Sequence, residues 1–357
     1  KSDLDFMSHA LGLAKDGVGD VWPNPSVGCV IVKDDKIIGV GATSKGGRPH
    51  AEQIALKMAG EGAKGGVAYI TLEPCAHYGK TPPCAEALLK AGLEKVIYAV
   101  ADPDPRVSGK GEEILKSGGV EVLSGLLEEE ATQINEGFFK KVKTGRPLVT
   151  LKFATSRDGK IATKDVRSKW ITGESARQFG HEMRAKNDAI LVGVGTVLAD
   201  NPSLTCRLEG IEHKSPVRII LDTHLKTPID CNLVTSAREV PTWIVTENKK
   251  GQAYEALGVR LIRGPKLEDI TAVLKVLAEK GLTRVLVEGG SKIHGSFFRK
   301  NLVDKIAWFR APVVIGDDGL PAISGYDLDH LKNNNHYTKV ASDEFGKDVL
   351  EIYIVKE

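Results

Sequence analysis

The sequence predicts a chain of two α/β domains. Apolar runs of strand length alternate with helical patterns along most of the chain, which is the order that α/β layers require. The polar stretch from Lys143 to Pro147 interrupts this alternation. The chain has 357 residues, more than usually surround one hydrophobic core. We therefore expect one domain at residues 1–145 and a second at residues 146–357.

The first half begins with a helix and continues as a sheet covered by helices. Apolar side chains recur at roughly helical spacing over residues 3–16, which predicts an amphipathic helix. The apolar runs Val27–Val32 and Lys36–Ala42 are joined by the polar residues 33–35, as expected of a β-hairpin. Further helices are predicted at Ala51–Ala59, Ala85–Ala91, Gly111–Lys116 and Leu126–Lys141, and further strands at Val67–Leu72, Lys95–Val100 and Val120–Leu123.

The second half alternates strands and helices again. A strand is predicted at Leu148–Phe153, directly after the polar stretch, and no internal repeat is visible. The remaining strands are predicted at Ala189–Val194, Val217–Asp222, Thr242–Thr246 and Arg284–Glu288, and the helices at Glu174–Ala185, Glu268–Lys280 and Lys292–Arg299.

Composition excludes several classes of protein. No stretch approaches the ~18 uncharged apolar residues that a membrane helix needs, and 41% of residues are hydrophobic. The 49 basic and 47 acidic residues are scattered without a basic arm, so nucleic acid is not an expected partner. Five cysteines are too few for a disulfide framework in so long a chain, which favours the cytoplasm. The chain begins at Lys1 without a methionine, which leaves open whether a few residues or a removed targeting segment precede it.

A histidine and two cysteines carry the first chemical signal. His50 opens a predicted helix, Cys75 follows a predicted strand, and Cys84 begins another helix. One His and two Cys are typical of a catalytic zinc site, in which water takes the fourth position. Glu52 lies two residues beyond His50 on the helix, so it projects in a different direction and can act as general acid and base.

The spacing of the cysteines separates this site from most zinc deaminases. Those enzymes carry H-x-E followed by P-C-x-x-C, whereas Cys75 and Cys84 are nine positions apart, with a loop between them that can cover substrate. Pro83 suits a helix start, and the amides there favour a thiolate at Cys84. The alternatives are ordinary packing or a structural zinc, but a structural site normally has a fourth protein ligand and no use for Glu52.

Three segments together resemble a known family. They are Pro23–Gly28, Pro49–Glu52 and Thr71–Cys84, which look like the deaminase half of bifunctional riboflavin-biosynthesis deaminase–reductases. This resemblance implies a cytidine-deaminase-like three-layer α/β/α domain. It also implies that zinc is bound by His50, Cys75 and Cys84, that Glu52 shuttles the proton, and that the pocket for base and phosphate is lined by Asn24, His77, Lys80 and Thr81.

Two positions depart from the family pattern. Thr43 stands where a histidine is common, and Asp104 stands where the family has asparagine. Neither residue is an expected metal ligand. Thr43 can donate a hydrogen bond but carries no charge, so it offers a phosphate group less than a histidine would.

The second half carries a weaker signal for a nucleotide cofactor. Gly193 and Gly195 lack the third glycine of a dinucleotide fingerprint. The run Val285–Ser291 leads from a strand through two glycines into a helix, which leaves amide groups free for a pyrophosphate. A simple strand-to-helix turn is the alternative interpretation of this run alone.

Longer segments resemble the reductase half of the same family, which is similar to dihydrofolate reductase in fold. They are Leu151–Ala162, Ser168–Thr172, Gly193–Arg207 and Val287–Ser291. The resemblance implies NADPH contacts at Ala154, Trp170, Thr196, Asp200, Thr223, Gly290, Ser291, Lys292, Ile293, His294, Gly295 and Ser296. It implies substrate contacts at Ser168, Arg184, Leu204, Arg207 and Glu288. Arg157 and residues 164–167 differ from the family pattern, so cofactor affinity is expected to differ.

Zinc and NADPH are thus the implied cofactors, and small pyrimidine ribotides are the implied ligands. The family deaminates 2,5-diamino-6-ribosylamino-4(3H)-pyrimidinone 5′-phosphate and then reduces the ribosyl group of the product to ribityl. The resemblance also implies a homo-oligomer formed through the reductase domain. A tRNA deaminase with an unrelated fused module conflicts with the balanced charge, and a non-catalytic zinc regulator would not need Glu52.

Overall fold

The computed structural model describes residues 2–79, 81–164, 171–325 and 336–356. Its internal contacts divide the chain into two compact units, Lys1–Gly145 and Arg146–Glu357. The boundary falls within the polar stretch, and each unit contains buried apolar clusters of its own. Among the described residues, no helix is both long and apolar enough to span a bilayer.

The first unit is a five-stranded sheet with helices packed on it. Its sheet has the order β2-β1-β3-β4-β5, with β1 antiparallel to both neighbours and β3, β4 and β5 parallel. In chain order its elements are α1 Asp3–Gly17, β1 Gly28–Lys33, β2 Lys36–Ala42, α2 Ala51–Ala59, β3 Val67–Ile70, α3 Cys84–Lys90, β4 Lys95–Tyr98, α4 Lys110–Ser117, β5 Glu121–Ser124, α5 Glu128–Ile134 and α6 Glu136–Thr144.

Helices α1 and α2 lie on opposite faces of this sheet and touch its backbone. A Cβ atom at Gly28 would lie 1.9 Å from the carbonyl oxygen of Ala10 in α1, and one at Gly41 would lie 2.1 Å from that of Ala51 in α2. Gly41 pairs with Cys29, which neighbours Gly28, and adjacent strand residues face opposite sides. The α/β/α layering is therefore confirmed, and the start of α2 lies directly over the sheet.

The predicted helix over residues 126–141 is wrong in one respect, because the structure divides it at Asn135. The amide oxygen of Asn135 accepts a hydrogen bond from Ser26 N at 2.8 Å, and its Nδ2 donates to Ser26 O at 2.8 Å. The backbone of Asn135 leaves helical geometry at φ −105° and ψ 19°. A tertiary demand on one buried side chain thus overrides a local helical pattern.

The second unit contains a nine-stranded sheet of order β11-β10-β9-β8-β12-β6-β13-β16-β15 and a small β14-β7 pair. The first seven strands in this order, from β11 across to β13, are all parallel. Strand β16 pairs antiparallel with β13, and β15 pairs antiparallel with β16. Its elements are β6 Leu148–Thr155, β7 Lys160–Ala162, α7 Glu174–Ala185, β8 Ala189–Gly193, α8 Val194–Asp200, β9 Val217–Leu221, α9 Asn232–Thr235, β10 Thr242–Val245, α10 Gln252–Ala256, β11 Arg260–Ile262, α11 Ile270–Glu279, β12 Arg284–Val287, α12 Ser291–Arg299, β13 Lys305–Arg310, β14 Leu320–Pro321, β15 Tyr337–Phe345 and β16 Asp348–Val355.

Parallel strands bring one set of loops together in this unit. Strands β9, β8, β12 and β6 are neighbours that run in the same direction. Their carboxyl ends therefore meet at one edge of the sheet, where α/β proteins bind ligands. The segments that follow these strands, including helices α8 and α12, carry most of the cofactor and substrate residues that the sequence indicates in this half.

Candidate active sites

The three expected zinc ligands lie together in the first unit. Cys84 Sγ is 3.4 Å and Cys75 Sγ is 3.7 Å from His50 Nδ1. Tetrahedral zinc with Zn–N of about 2.0 Å and Zn–S of about 2.3 Å requires an N···S separation of about 3.5 Å. These residues therefore fit zinc. In the part of the chain that the structure describes, the group consists of these three side chains, the number that a catalytic zinc site uses.

Hydrogen bonding distinguishes the two cysteines. The backbone N–H of Cys84, at the start of α3, donates to Cys75 Sγ at 3.3 Å. Hydrogen bonds from Cys84 lower the pKa of the Cys75 thiol to about 4, whereas the hydrogen bond to Cys75 and burial raise the pKa of Cys84. The helix-start amide at Cys84 therefore donates to the sulfur of Cys75 and not to its own. Zinc binding releases the proton that remains.

Glu52 lies on the first turn of α2 beside these ligands. Its side chain is buried, with 4% of the residue surface exposed. Burial, together with the charge of Cys75, raises the pKa of Glu52 to about 7. A carboxyl group whose pKa lies near neutral pH can both accept and release a proton there. Glu52 can thus carry a proton next to the three side chains that fit zinc.

Asn24 lies near Nε2 of the His50 imidazole, whereas the two cysteine sulfurs lie near its Nδ1. Its Nδ2 donates to Gly47 O at 2.7 Å and lies 3.5 Å from His50 Nε2. The hydroxyl of Thr81 accepts a hydrogen bond from Arg48 Nη1 at 3.0 Å. His77 is exposed, and Lys80 lies outside the described residues.

Glu73 is a structural determinant of this site that the sequence analysis missed. Its buried carboxylate accepts hydrogen bonds of 3.1 Å from the backbone N–H groups of Asp102, Gly109 and Gly111. It thereby fixes the loop between β4 and α4, which carries Asp104. A hydrogen-bonded ion pair with Arg106 lowers the pKa of Asp104 to about 2. The only signal for Glu73 was an acidic residue next to Pro74-Cys75.

In the second unit, a buried ion pair joins two of the expected substrate residues. Arg184 donates from Nε to Glu288 Oε1 at 3.0 Å and from Nη2 to Oε2 at 2.8 Å. Its Nη1 donates to Thr205 O at 3.0 Å, which attaches the 204–207 segment to the pair. Within that segment Leu204 is buried in a left-handed conformation with φ 54°, and Arg207 is exposed. Ser168 lies outside the described residues.

Two further side chains belong to this cluster. Lys152 Nζ on β6 lies 3.9 Å from Glu288 Oε2, and His181 Nδ1 lies 3.0 Å from Thr205 O. Burial alone would raise the pKa of Glu288, but the charges of Arg184 and Lys152 lower it to about 2. The sequence analysis missed both residues, although a lysine within an otherwise apolar strand was a visible signal for Lys152.

The turn between β12 and α12 fits a nucleotide phosphate. Gly290 has φ 77°, and a Cβ at Gly289 would lie 2.7 Å from Val192 and 2.9 Å from Thr196 Oγ1. The buried Ser291 Oγ has no hydrogen-bond partner among the described residues. An unpaired hydroxyl and free helix-start amides offer donors to an anion. The residues at this turn therefore fit a dinucleotide such as NADPH.

The remaining expected cofactor residues are dispersed. Ala154 lies near the end of β6, Asp200 is exposed at the end of α8, and Thr223 follows β9. Two of the α12 residues beyond Ser291 face the 322–324 segment. A Cβ at Gly295 would lie 1.7 Å from Ser324 O, and His294 Nδ1 lies 2.8 Å from Ala322 O. Lys292 is exposed, Ile293 and Ser296 are half-buried, and Trp170 lies outside the described residues.

Comparison with known families and proteins covers nearly the whole chain. Residues 147–350 match the family model described as the RibD C-terminal domain, and residues 1–100 match the cytidine and deoxycytidylate deaminase zinc-binding region. The riboflavin biosynthesis protein RibD of Bacillus amyloliquefaciens is 44% identical over 99% of this chain and 96% of its own. The chain belongs to the RibD family. The RibD of Aquifex aeolicus is 42% identical over 98% of this chain and 97% of its own.

Solved structures of the family agree with the fold described above. Acinetobacter baumannii RibD superposes with a TM-score of 0.90 at 38% identity, covering 99% of both chains. A Thermotoga maritima structure described as a diaminohydroxyphosphoribosylaminopyrimidine deaminase/5-amino-6-(5-phosphoribosylamino)uracil reductase has a TM-score of 0.87 at 37% identity, again over 99% of both chains. This RibD-family chain is a zinc-dependent deaminase and NADPH-dependent reductase of riboflavin biosynthesis, so the tRNA-deaminase and regulator interpretations are excluded.

Loss of one ligand should release the metal. The purified protein is expected to contain one zinc per chain, and Cys84→Ser should contain less than about a tenth of that, because a neutral hydroxyl binds zinc far more weakly than a thiolate. Elemental analysis of dialysed protein measures this. Cys231→Ser, which changes a buried cysteine outside the group, should keep its zinc. A Cys84→Ser protein with full zinc would contradict the assignment.

His294 should make the second unit sensitive to acid. Burial lowers the pKa of His294 to about 4, below its ordinary value of about 6.5. Between these two pH values the unfolded chain binds a proton that the folded chain does not, so stability falls as pH falls. When the pH falls from 7.5 to 5.5, the free energy of unfolding should decrease in both proteins. The decrease should be about 1 kcal/mol smaller in His294→Asn than in the wild type. Urea unfolding tests this, and equal losses would refute the depressed pKa.

Proposed function

We propose that the first unit deaminates 2,5-diamino-6-ribosylamino-4(3H)-pyrimidinone 5′-phosphate. We propose that the second unit reduces the ribosyl group of the product, 5-amino-6-(5-phosphoribosylamino)uracil, to ribityl. The observation that carries the first assignment is a buried Glu52 with a near-neutral pKa beside three zinc ligands. The name of the Thermotoga maritima relative contains both activities and supports their order.

In the deaminase, His50, Cys75 and Cys84 hold the metal, and Glu52 moves protons. Bound zinc supplies a Lewis acid that lowers the pKa of water to about 7. Glu52 takes a proton from the attacking water as the C–O bond forms. It then delivers that proton to the ring amino group, which leaves as ammonia when the C–N bond breaks. We assign the base and phosphate contacts to Asn24, His77, Lys80 and Thr81.

In the reductase, the protein orients the ribotide and NADPH supplies hydride to C1′ of the open-chain form. Arg184 already bonds Glu288 and Thr205 O through all three of its nitrogens. The exposed Arg207 is therefore the stronger candidate for the ribotide phosphate, and Arg184 positions Glu288 against the sugar. Ser168 and Leu204 complete the proposed substrate contacts. Ala154, Trp170, Thr196, Asp200, Thr223 and residues 290–296 remain the proposed cofactor contacts.

We also propose a homo-oligomer formed through the second unit and a cytoplasmic location. Among the strands that the structure describes, β15 is the last in the order of the nine-stranded sheet, and the outer backbone groups of an edge strand can pair with a second copy. All five cysteines are free, which suits a reducing compartment. Light scattering of the purified chain tests the oligomeric state, and a monomer at every concentration would exclude the first of these proposals.

The two activities should be separable by one matched pair of substitutions. Glu52→Gln keeps size and zinc but removes the proton carrier, so ammonia release should fall by at least about 100-fold while reduction of supplied deaminated ribotide persists. Glu288→Gln should impair reduction and spare ammonia release, because it removes the charge that meets Arg184 and the sugar. Ammonia and NADPH absorbance are followed separately on folded, zinc-loaded proteins. Loss of both activities in Glu52→Gln would indicate one shared site instead.

Arg207 should govern ribotide binding rather than cofactor binding. Arg207→Ala should raise the KM for the ribotide about tenfold or more, because a charge-assisted bond to phosphate contributes about 1.5–3 kcal/mol. The KM for NADPH should stay within about twofold. Steady-state kinetics measure both KM values. The control is Arg238→Ala, which replaces an exposed arginine elsewhere in the unit and should change neither KM. A raised KM for NADPH with an unchanged ribotide KM would assign Arg207 to the cofactor.

A further inference from the structure

The backbone of Ser26, Val27 and Gly28 is held by three side chains from three different parts of the first unit. Ser26 N–H donates to Asn135 Oδ1 at 2.8 Å, and Val27 N–H donates to Thr43 Oγ1 at 3.0 Å. Gly28 N–H donates to Thr71 Oγ1 at 3.1 Å. All four polar side chains concerned, including Ser26, are buried. We call this arrangement the 26–28 clamp.

The carbonyl groups of the same residues are also paired. Asn135 Nδ2 donates to Ser26 O at 2.8 Å, Thr43 N donates to Val27 O at 2.9 Å, and Thr71 N donates to Gly28 O at 3.0 Å. Asn135 makes both of its bonds to Ser26 through its side-chain amide and donates no backbone bond to the 26–28 segment, whereas the backbone N–H groups of Thr43 and Thr71 also donate to it. A single substitution can therefore remove one third of the clamp while leaving all backbone bonds of the unit in place.

The clamp lies two residues from Asn24. Only Pro25 separates Ser26 from Asn24, and a proline ring fixes its own φ near −65°. A displacement at Ser26 is therefore passed on with little backbone freedom to absorb it. Asn24 in turn donates to Gly47 O and lies 3.5 Å from His50 Nε2. The clamp thus determines where the Asn24 amide lies relative to the metal ligand.

We propose that Asn135 is a positioning residue of the deaminase, acting through Ser26 and Pro25 on Asn24. This rests on the proposed role of Asn24 as a substrate contact. It gives a reason for the interruption of the helical pattern between α5 and α6, because the helix must break for the Asn135 amide to reach Ser26. It also gives Thr43 a defined task, since its hydroxyl accepts from Val27 rather than facing a phosphate group.

The test is a double-mutant cycle on the full-length zinc-loaded chain. Asn24→Ala and Asn135→Ala should each raise the deaminase KM about tenfold, with kcat changed less than about threefold. Because Asn135 acts through Asn24, the double variant should resemble Asn24→Ala alone. Asn135→Asp, which keeps the acceptor for Ser26 N, should lie between wild type and Asn135→Ala. Zinc content and reductase activity should be unchanged in all of them.

A matched control separates positioning from general loss of stability. Asn187 is also a buried asparagine, and its Nδ2 donates to Met183 O at 2.8 Å in the second unit. Asn187→Ala should leave the deaminase KM unchanged. If Asn135→Ala proves too unstable to assay, Thr43→Val and Thr43→Ser replace it, since only the valine removes the acceptor for Val27 N. In that case a raised KM in the valine variant alone supports the clamp.

The outcomes distinguish the two proposals. An unchanged KM in Asn24→Ala would overturn the substrate role of Asn24 and with it this inference. A raised KM in Asn24→Ala but not in Asn135→Ala would overturn the inference alone. Effects that multiply in the double variant would also overturn it, because the two residues would then act independently. A lowered kcat with unchanged KM in Asn135→Ala would reduce Asn135 to a structural residue.

Discussion

The backbone N–H groups at helix starts have no acceptor within their own helix, and both units must supply one from elsewhere. Each must meet an acceptor when it is buried. The start of α3 meets the sulfur of Cys75, that of α4 meets the carboxylate of Glu73, and Gly173 before α7 donates to Asp348 at 2.5 Å. At the start of α12, the buried hydroxyl of Ser291 has no hydrogen-bond partner within the part of the chain that the structure describes. One sulfur and two carboxylates thus satisfy helix-start N–H groups in the two units.

The alternation of apolar runs and helical patterns was sufficient to predict most of the fold, because buried parallel strands and their covering helices leave strong signals. It failed where tertiary contacts decide. Asn135 divides a continuous helical pattern to bond Ser26. Helix α8 begins directly after β8 without a turn signal. Strand β15 lies at a sheet edge with mostly exposed side chains, so its sequence lacks the apolar alternation that marks a half-buried strand.

Residue types predicted the site better than they predicted its electrostatics. His50, Cys75, Cys84 and Glu52 could be found because metal chemistry restricts the choice of ligands and the spacing. Which sulfur accepts the backbone N–H of Cys84 depends on the direction of that amide, and no sequence pattern reveals this direction. Glu73, Lys152 and His181 were missed because their importance comes from partners far away in sequence, such as the 102–111 loop for Glu73 and the Arg184–Glu288 pair for the other two.

The closeness of the Cys75 and Cys84 sulfur atoms has a consequence for the lifetime of the enzyme. Their sulfur atoms lie within 4.8 Å of each other and of a His50 ring nitrogen. A peroxide oxidises one of two such sulfurs to a sulfenic acid, and attack by the other sulfur then forms a disulfide and releases water. Zinc occupies both sulfurs and blocks that reaction. Bound zinc would therefore protect its own site from oxidation, and we expect an apoenzyme stored in air to need a reductant before it can be reloaded.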